Sequence, residues 1–143
     1  MSVSRRRPTL AVALLLGSLA GCGAGGPTED PGAAIRGWSD AVNAGNYERA
    51  GAFFAPGAVV EQAEETRLRT PEDAAHFSAS LPCRADVIGI EPEERASVAT
   101  FRLREGRGGP CRGEARVHFS VRNGKLTEWR QLPEGPPPRG QTA

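Results

Sequence analysis

The predicted folded region begins at residue 30, and apolar residues recur at helical spacing directly after it. Asp30 predicts the N-cap of a first helix, with Pro31 at the first helical position, and Gly45 predicts its end. The apolar positions between them are Ile35, Trp38, Ala41 and Val42. This three-to-four-residue spacing places them on one face, so the pattern predicts an amphipathic helix that packs against a core.

Two shorter helices are predicted before residue 83. Asn46 caps a second helix, whose apolar residues are Tyr47, Ala50, Phe53 and Phe54. Ala55-Pro56-Gly57 ends that helix, and residues 58–62 form a short strand. Residues 63–69 are polar and fit either a loop or a frayed edge strand. Residues 70–73, Thr-Pro-Glu-Asp, resemble a capping box and begin a third helix with Ala74, Phe77 and Leu81, which Pro82 ends.

After Cys83 the hydrophobic period changes to two, which is typical of strands. Four strands are predicted, over residues 85–91, 96–104, 113–122 and 125–132. Asn123-Gly124 between the last two indicates a type I′ hairpin. In the third of these strands, Ala115, Val117, Phe119 and Val121 alternate with Glu114, Arg116, His118 and Ser120. One face of the sheet is therefore core, and the pattern predicts an α+β fold with three helices packed on one face of an antiparallel sheet.

The first 21 residues have the pattern of an export signal. Arg5, Arg6 and Arg7 precede an apolar run over residues 10–16, which is too short for a comfortable transmembrane helix. The sequence Leu-Ala-Gly-Cys at 19–22 then resembles a bacterial lipobox. In proteins with that motif, the signal is cut before the cysteine and the cysteine sulfur carries a diacylglycerol. The alternative is an ordinary secretory signal with a chance cysteine.

The lipobox predicts a domain organisation and a location. Residues 1–21 are the lipoprotein signal peptide, 22–29 a flexible tether, 30–132 the folded domain and 133–143 a proline-rich disordered tail. The protein is expected on the cell membrane, held by acyl chains on Cys22 and facing the extracytoplasmic side. The twin arginines leave the export route open between the general and the folded-protein pathway.

Charge and cysteine content narrow the function. The chain has 18 Lys+Arg against 17 Asp+Glu, and loss of the three signal arginines makes the mature protein slightly acidic, so no nucleic-acid partner is expected. With Cys22 assigned to lipid, Cys83 and Cys111 form an even pair in an oxidising compartment, which indicates a disulfide. Two buried free thiols are the alternative. No metal-ligand spacing or cofactor motif is present, so no metal and no cofactor are expected.

The element order and several motifs resemble the SnoaL-like branch of the nuclear transport factor 2-like superfamily. The likeness rests on residues 38–47, Trp-Ser-Asp-Ala-Val-Asn-Ala-Gly-Asn-Tyr, on residues 53–59, Phe-Phe-Ala-Pro-Gly-Ala-Val, and on the closing Asn-Gly-Lys-Leu-Thr-Glu-Trp at 123–129. It covers about residues 32–132. The resemblance implies a cone-shaped, cystatin-like fold, in which a curved antiparallel sheet and the helices enclose an apolar cavity with one open end. The family includes isomerases, dehydratases, cyclases and many non-enzymes, so the resemblance specifies fold better than function.

Enzymes with this fold typically place a carboxylate at the end of the first strand. Here Gln62 stands where the related isomerases have aspartate, and glutamine cannot act as a general base. Glu61 is the remaining weak catalytic candidate. It would need to point inward, and strand parity alone does not decide which of the two side chains does.

The candidate pocket consists of the aromatic residues Trp38, Phe54, Phe77 and Phe101, which come from helices and sheet. The other polar candidates fit surface positions better: His76 a helix surface, His118 the polar strand face and Tyr47 the edge of the core. Arg102, Arg104, Arg116 and Arg122 fall on neighbouring strands and are expected on a mixed, solvated outer face.

The favoured hypothesis is a lipid-anchored, non-catalytic binding or accessory module that holds a small apolar ligand. The alternatives are a homodimeric protein–protein module that uses the outer sheet face, and a proton-transfer enzyme of the isomerase, dehydratase or cyclase type that uses Glu61. An enzyme needs an ionisable group buried in the cone with a partner, whereas an interaction module needs a complementary exposed face.

Lipidation is tested by replacing Cys22 with alanine, because the diacylglycerol requires the cysteine sulfur. We expect Cys22→Ala to leave the membrane fraction of cells, as judged by ultracentrifugation and immunoblotting. A variant that stays membrane-bound and uncleaved, as a spanning helix would, contradicts the lipobox interpretation.

Overall fold

The computed structural model describes residues 30–134, which form three helices and six strands. The helices are α1 (Pro31–Asn43), α2 (Tyr47–Gly51) and α3 (Pro71–Ser80), and the strands are β1 (Phe54–Glu61), β2 (Glu65–Leu68), β3 (Arg84–Pro92), β4 (Ser97–Arg104), β5 (Glu114–Arg122) and β6 (Lys125–Gln131). The predicted signal, Cys22, the tether and most of the predicted tail lie outside this part of the chain. Among residues 30–134, no helix is long and apolar enough to cross a membrane.

The helices begin where their capping residues predict. The Asp30 carboxylate accepts a hydrogen bond from the Gly32 N–H, and the Asn46 side chain accepts one from Arg49 N–H. At α3 the Thr70 hydroxyl accepts from the Asp73 N–H, and the Asp73 carboxylate accepts from the Thr70 N–H, which completes a capping box. The backbone N–H groups of Arg69 and Thr70 hold the pKa of Asp73 below its ordinary value, because they bind the charged carboxylate.

The sheet is mixed, with the strand order β2-β1-β6-β5-β4-β3. β3 to β6 form the predicted antiparallel meander, and Asn123 and Gly124 both have positive φ (50° and 71°), as a type I′ turn requires. The expectation of a wholly antiparallel sheet is wrong at one place, because β1 pairs with β6 in parallel. The chain reaches β6 only after β2, α3 and the meander, so local sequence does not reveal this pairing.

Two element boundaries also differ from the prediction. Phe54 begins β1 instead of ending the second helix, and Ala55-Pro56-Gly57 lies inside that strand. Gly57 has a φ of 79°, and the β1–β6 register shifts between Phe54 and Val59, so an irregularity in the strand accommodates the predicted helix breaker. The ambiguous stretch 63–69 contains β2, a short strand at the edge of the sheet.

The core lies between the inner face of the sheet and the three helices. Ile35, Trp38, Phe101, Phe119 and Leu126 are almost completely buried there. Trp38 lies at the centre, where its indole makes edge-on contacts with Phe54, Phe101, Phe119 and Trp129. The predicted inner face of β5 is therefore confirmed.

Polar contacts and a disulfide hold α1 and the β4–β5 loop against the start of β3. The Asn43 side chain accepts from the Ala85 N–H at 3.0 Å and donates to the Ala85 carbonyl at 2.9 Å, as a neighbouring strand would. The Cys83–Cys111 disulfide is present, with Cα atoms 5.9 Å apart, and links the segment after α3 to the loop before β5. Gly108 in that loop donates to the Pro82 carbonyl at 2.9 Å, so the loop is also held by its backbone.

The disulfide closes a loop of 28 positions, for which chain entropy gives an upper value of about 3.6 kcal/mol. We expect the double variant Cys83→Ser/Cys111→Ser to lose about 2–4 kcal/mol of unfolding free energy in urea. Reductant should lower the stability of the wild type to the same level and leave the double variant unchanged. Equal urea midpoints for the wild type and the double variant without reductant would show that the bridge does not contribute to stability.

Candidate functional site

One apolar cavity opens at the end of the cone where β1, β4 and β6 finish and β3 and β5 begin. Its volume is about 130 Å³, and it is partly open to solvent. The deepest wall is aromatic and consists of Trp38 from α1, Phe101 from β4 and Trp129 from β6. The remaining apolar wall is formed by Leu81, Pro82, Cys83, Ala85, Leu103, Ala115 and Val117.

Two glutamine side chains supply the polar part of the lining. Gln62 follows the last residue of β1, and Gln131 ends β6. The residues before them, Glu61 and Arg130, are register partners in the parallel pair, so the two glutamines lie side by side. Both are exposed, so they line the mouth and not the base of the cavity. Within the described residues, the lining contains no carboxylate, histidine, lysine or arginine, and its one cysteine is in the disulfide.

The structure separates the four aromatic residues proposed for the pocket. Trp38 and Phe101 line the cavity, whereas Phe54 and Phe77 are absent from its lining. Phe54 is buried between Trp38 and Phe77, at ring-centroid distances of 6.3 and 5.9 Å. Phe77 lies behind Trp129, with the ring centroids 5.0 Å apart, and faces a separate groove. Both residues therefore support the cavity wall from outside.

Glu61 lies on the outer face of the sheet, because its neighbour Val60 points into the core. Its carboxylate pairs with the Arg130 guanidinium, which also contacts Glu65 at 3.1 Å and Glu128 at 3.3 Å. These three carboxylates raise the pKa of Arg130 above its ordinary value, with Glu61 the largest cause. Glu61 is therefore engaged away from the cavity, and Gln62 is the residue of this pair that reaches it.

The remaining candidates also lie away from the cavity. His76 is exposed on α3, in the wide groove between that helix and β1–β2. His118 is on the outer face, with its Nε2 4.0 Å from a Glu93 carboxylate oxygen. Tyr47 carries the guanidinium of Arg107 over its ring, 5.6 Å from the ring centroid.

The outer-face arginines are dispersed among carboxylates. Arg104 binds Asp86 through two hydrogen bonds of 2.6 and 2.9 Å, which lower the pKa of that carboxyl group. Arg102 is the register partner of Glu114, and Arg116 lies on the same face. In residues 30–134, no group of three or more His, Cys, Asp or Glu side chains is arranged to hold a metal ion.

Sequence reasoning missed the roles of Trp129 and Gln131 in the cavity. The alternation of β6 places both on the inner face, so the hairpin pattern contained part of the signal. What was missing is the pairing of β6 with β1, which brings Gln131 beside Gln62. Without that pairing, Trp129 could be identified only as a core residue.

Comparisons with known proteins agree with this architecture. The family model described as a SnoaL-like domain matches residues 35–129. No curated protein matches the chain significantly in sequence.

Solved structures of the same shape include three bacterial proteins. The first is a proposed ketosteroid isomerase from Kribbella flavida, with a TM-score of 0.59 and 19% identity over 79% of this chain and 87% of that one. A proposed polyketide cyclase from Sinorhizobium meliloti has a TM-score of 0.59 and 15% identity over 70% and 94%. A hypothetical protein with a ketosteroid isomerase-like fold from Catenulispora acidiphila, in complex with trimethylamine, has a TM-score of 0.58 and 12% identity over 71% and 85%. The structural matches establish the fold, which is the expected nuclear transport factor 2-like fold. Identities this low do not establish the function.

Proposed function

The chain belongs to the SnoaL-like domain family, and from its cavity we propose that it is a binding module for a small, neutral, largely apolar molecule. The observation that carries the proposal is the lining, in which the described residues supply aromatic and aliphatic side chains, two glutamines and no ionisable group. Proton-transfer catalysis requires a positioned acid or base of suitable pKa within reach of the substrate. Glu61 does not meet that requirement, because it pairs with Arg130 on the opposite face of the sheet.

The size of the cavity limits the ligand. A volume of about 130 Å³ is similar to that of an engineered apolar cavity of about 150 Å³ that binds benzene. A steroid or polyketide would extend far outside it, whereas a single ring or a short branched molecule fits within. The trimethylamine complex of the Catenulispora acidiphila protein supports only the size of the ligand, because trimethylamine is a cation at neutral pH.

We further propose that the module acts at the extracytoplasmic face of the cell membrane, attached through lipid on Cys22. The support is the lipobox-like sequence at 19–22 and the single pair of remaining cysteines, which suits an oxidising compartment. The eight residues 22–29 would connect the lipid to Asp30 at the start of α1.

Cavity filling tests the binding proposal. Ala115 lines the cavity beside its cross-strand partner Phe101, so Ala115→Leu places a larger side chain in the space that a ligand would use. With a soluble chain that begins at residue 23, we expect benzene to shift the NMR methyl resonances of Val117 and Leu103, and Ala115→Leu to weaken this binding at least tenfold.

Two variants serve as controls for the benzene titration. Ala79→Leu makes the same substitution at a half-buried site on α3 that does not line the cavity, and Glu61→Gln removes the rejected catalytic carboxylate. Both should bind benzene within about twofold of the wild type. Wild-type resonances that do not respond to benzene, or an Ala115→Leu protein that binds it normally, would contradict the proposal.

A homodimer formed through the outer sheet face is the second candidate, and the charge pattern of that face favours it. A row that is acidic on balance, with three glutamates against one arginine, crosses all six strands in register through Glu91, Val98, His118, Arg130, Glu61 and Glu65. Arg102, Arg104 and Arg116 lie nearer the cavity end of the same face. Two copies related by a two-fold axis can bring each acidic row against the partner's arginines.

Sedimentation velocity tests the dimer. We expect the soluble chain to dimerise at low ionic strength and to dissociate as salt screens the charges. Arg116→Glu should weaken the dimer about tenfold or more, and Arg49→Glu, an equal charge reversal on α2, should not. A chain that stays monomeric at about 0.5 mM in low salt would exclude this candidate.

A further inference from the structure

A second concavity, here called the basic groove, lies outside the cavity rim, where the β4–β5 loop crosses the start of β3. It is open to solvent and is lined by Arg84, Arg104, Glu105, Gly106 and Arg107. Three of these five residues are arginines. Arg84, Gly106 and Arg107 also line an adjoining hollow beside Tyr47, so the groove continues towards the C-terminal end of α1.

Two glycines of the β4–β5 loop bring Arg107 to this position. A Cβ on Gly106 would lie 2.4 Å from the Pro82 carbonyl oxygen, and one on Gly108 would lie 2.4 Å from the Pro82 Cβ. Only glycine therefore lets the loop approach the chain before β3 so closely. The Arg107 guanidinium then lies over the Tyr47 ring, 5.6 Å from the ring centroid, in a cation–π contact.

The positive charge of the groove is only partly neutralised by carboxylates. Arg84 and Arg104 are cross-strand partners in the β3–β4 register, and like charges placed opposite each other destabilise a sheet. Asp86 binds Arg104, but within residues 30–134 no carboxylate forms an ion pair with Arg84 or Arg107, although Glu105 also lines the groove. Two guanidinium groups are therefore available to an external anion, and their forked N–H geometry suits phosphate oxygens.

We propose that the basic groove binds the phosphate groups of anionic phospholipids and so turns this side of the domain, with the cavity mouth beside it, towards the membrane. The inference rests on the proposed membrane anchorage and adds an orientation to it. It also places the apolar cavity close to the lipid surface, where small apolar molecules accumulate.

The length of the chain before α1 permits this contact. The 13 residues of α1 span about 20 Å, from the tether at Asp30 to the end of the helix beside the groove. Residues 22–29 would reach at most about 26–29 Å if fully extended. The lipid on Cys22 and the groove can therefore meet the same membrane surface.

The anchor also favours a lipid phosphate over a phosphate in solution. One arginine near an anionic membrane gains only about fivefold in affinity, so two or three bind such a surface weakly by themselves. Attachment through Cys22 makes the contact intramolecular and raises the effective concentration of headgroups at the groove. A soluble anion does not receive that gain.

Spin-labelled lipid discs test the contact. A chain that begins at Cys22 can be coupled through that thiol to a maleimide lipid, because Cys83 and Cys111 are joined in the disulfide. In discs that contain phosphatidylglycerol and a headgroup spin label, we expect strong paramagnetic relaxation of the amide protons in the β4–β5 loop. The effect should be at least about fivefold weaker in otherwise identical discs of phosphatidylcholine, whose headgroup has no net charge.

Paired variants assign the contact to the groove. Arg84→Gln/Arg107→Gln removes its two unpaired arginines, neither of which belongs to the set proposed for the dimer, and should reduce the relaxation to the level in phosphatidylcholine. The control Arg95→Gln/Arg122→Gln makes the same charge change at two exposed positions at the opposite end of the sheet, and should behave as the wild type. If the groove variant does not fold, the comparison of the two discs with the wild type still decides.

Equal relaxation in the two discs, no relaxation in either, or a folded groove variant that behaves as the wild type overturns the proposal. Inorganic phosphate is the remaining arm. If it saturates the loop resonances of the chain without discs below about 1 mM, the groove is a site for a soluble anion and the lipid assignment is wrong. Because the coupled chain carries its anchor already, none of these failures bears on the lipidation of Cys22 or on the binding of benzene.

Discussion

The packing of Trp38 is the interaction on which the rest of the structure depends. Its ring lies 5.8 to 6.3 Å from those of Phe54, Phe101, Phe119 and Trp129, and all four contacts are edge-on. Such aromatic pairs contribute about 0.5–1.5 kcal/mol each beyond the burial of their area. Through them one side chain of α1 holds four strands, and its N–H holds α3 through Ser78. The cone is closed at its centre because these elements converge on one indole.

The cavity is a consequence of the same packing. The aromatic cluster fills the middle of the cone, but towards the end where β4 and β6 finish the inward side chains are smaller, notably Ala85 and Ala115. The Cys83–Cys111 disulfide and the backbone of the β4–β5 loop cover one side of that end. A space remains between the aromatic wall and this cross-linked rim. Its chemistry follows from sheet alternation, which directs the glutamines inward and the neighbouring Glu61 and Arg130 outward.

Local sequence signals were sufficient for most of the fold. The capping residues Asp30, Asn46 and Thr70 begin the three helices as predicted, because the side chain of each accepts a hydrogen bond from an N–H in the first turn of its own helix. Asn123-Gly124 specifies its hairpin locally too, because both residues adopt the positive φ that the turn requires. The Cys83–Cys111 disulfide was predictable from the oxidising compartment and from the even number of cysteines that remain once Cys22 is assigned to lipid. The spacing of Phe54 fits both periods and predicts a helix, whereas its pairing with Leu126 of β6 assigns it to a strand.

The site was less accessible to sequence reasoning, because a cavity is defined by what tertiary packing leaves unfilled. The orientation of Glu61 and Gln62 required the register of β1, and the neighbourhood of Gln131 required a parallel pairing between segments about 70 positions apart. The aromatic residues that line the cavity and those that support it, such as Phe77, have the same pattern in sequence.

The central claim is that the wall formed by Trp38, Phe101 and Val117 bounds a real apolar binding space. Diffraction from a crystal of the protein pressurised with xenon tests it most directly, since xenon occupies apolar cavities without polar contacts. We expect a xenon site bounded by those three side chains. A cavity that stays empty of xenon, or that contains ordered water bound by polar groups, would contradict it.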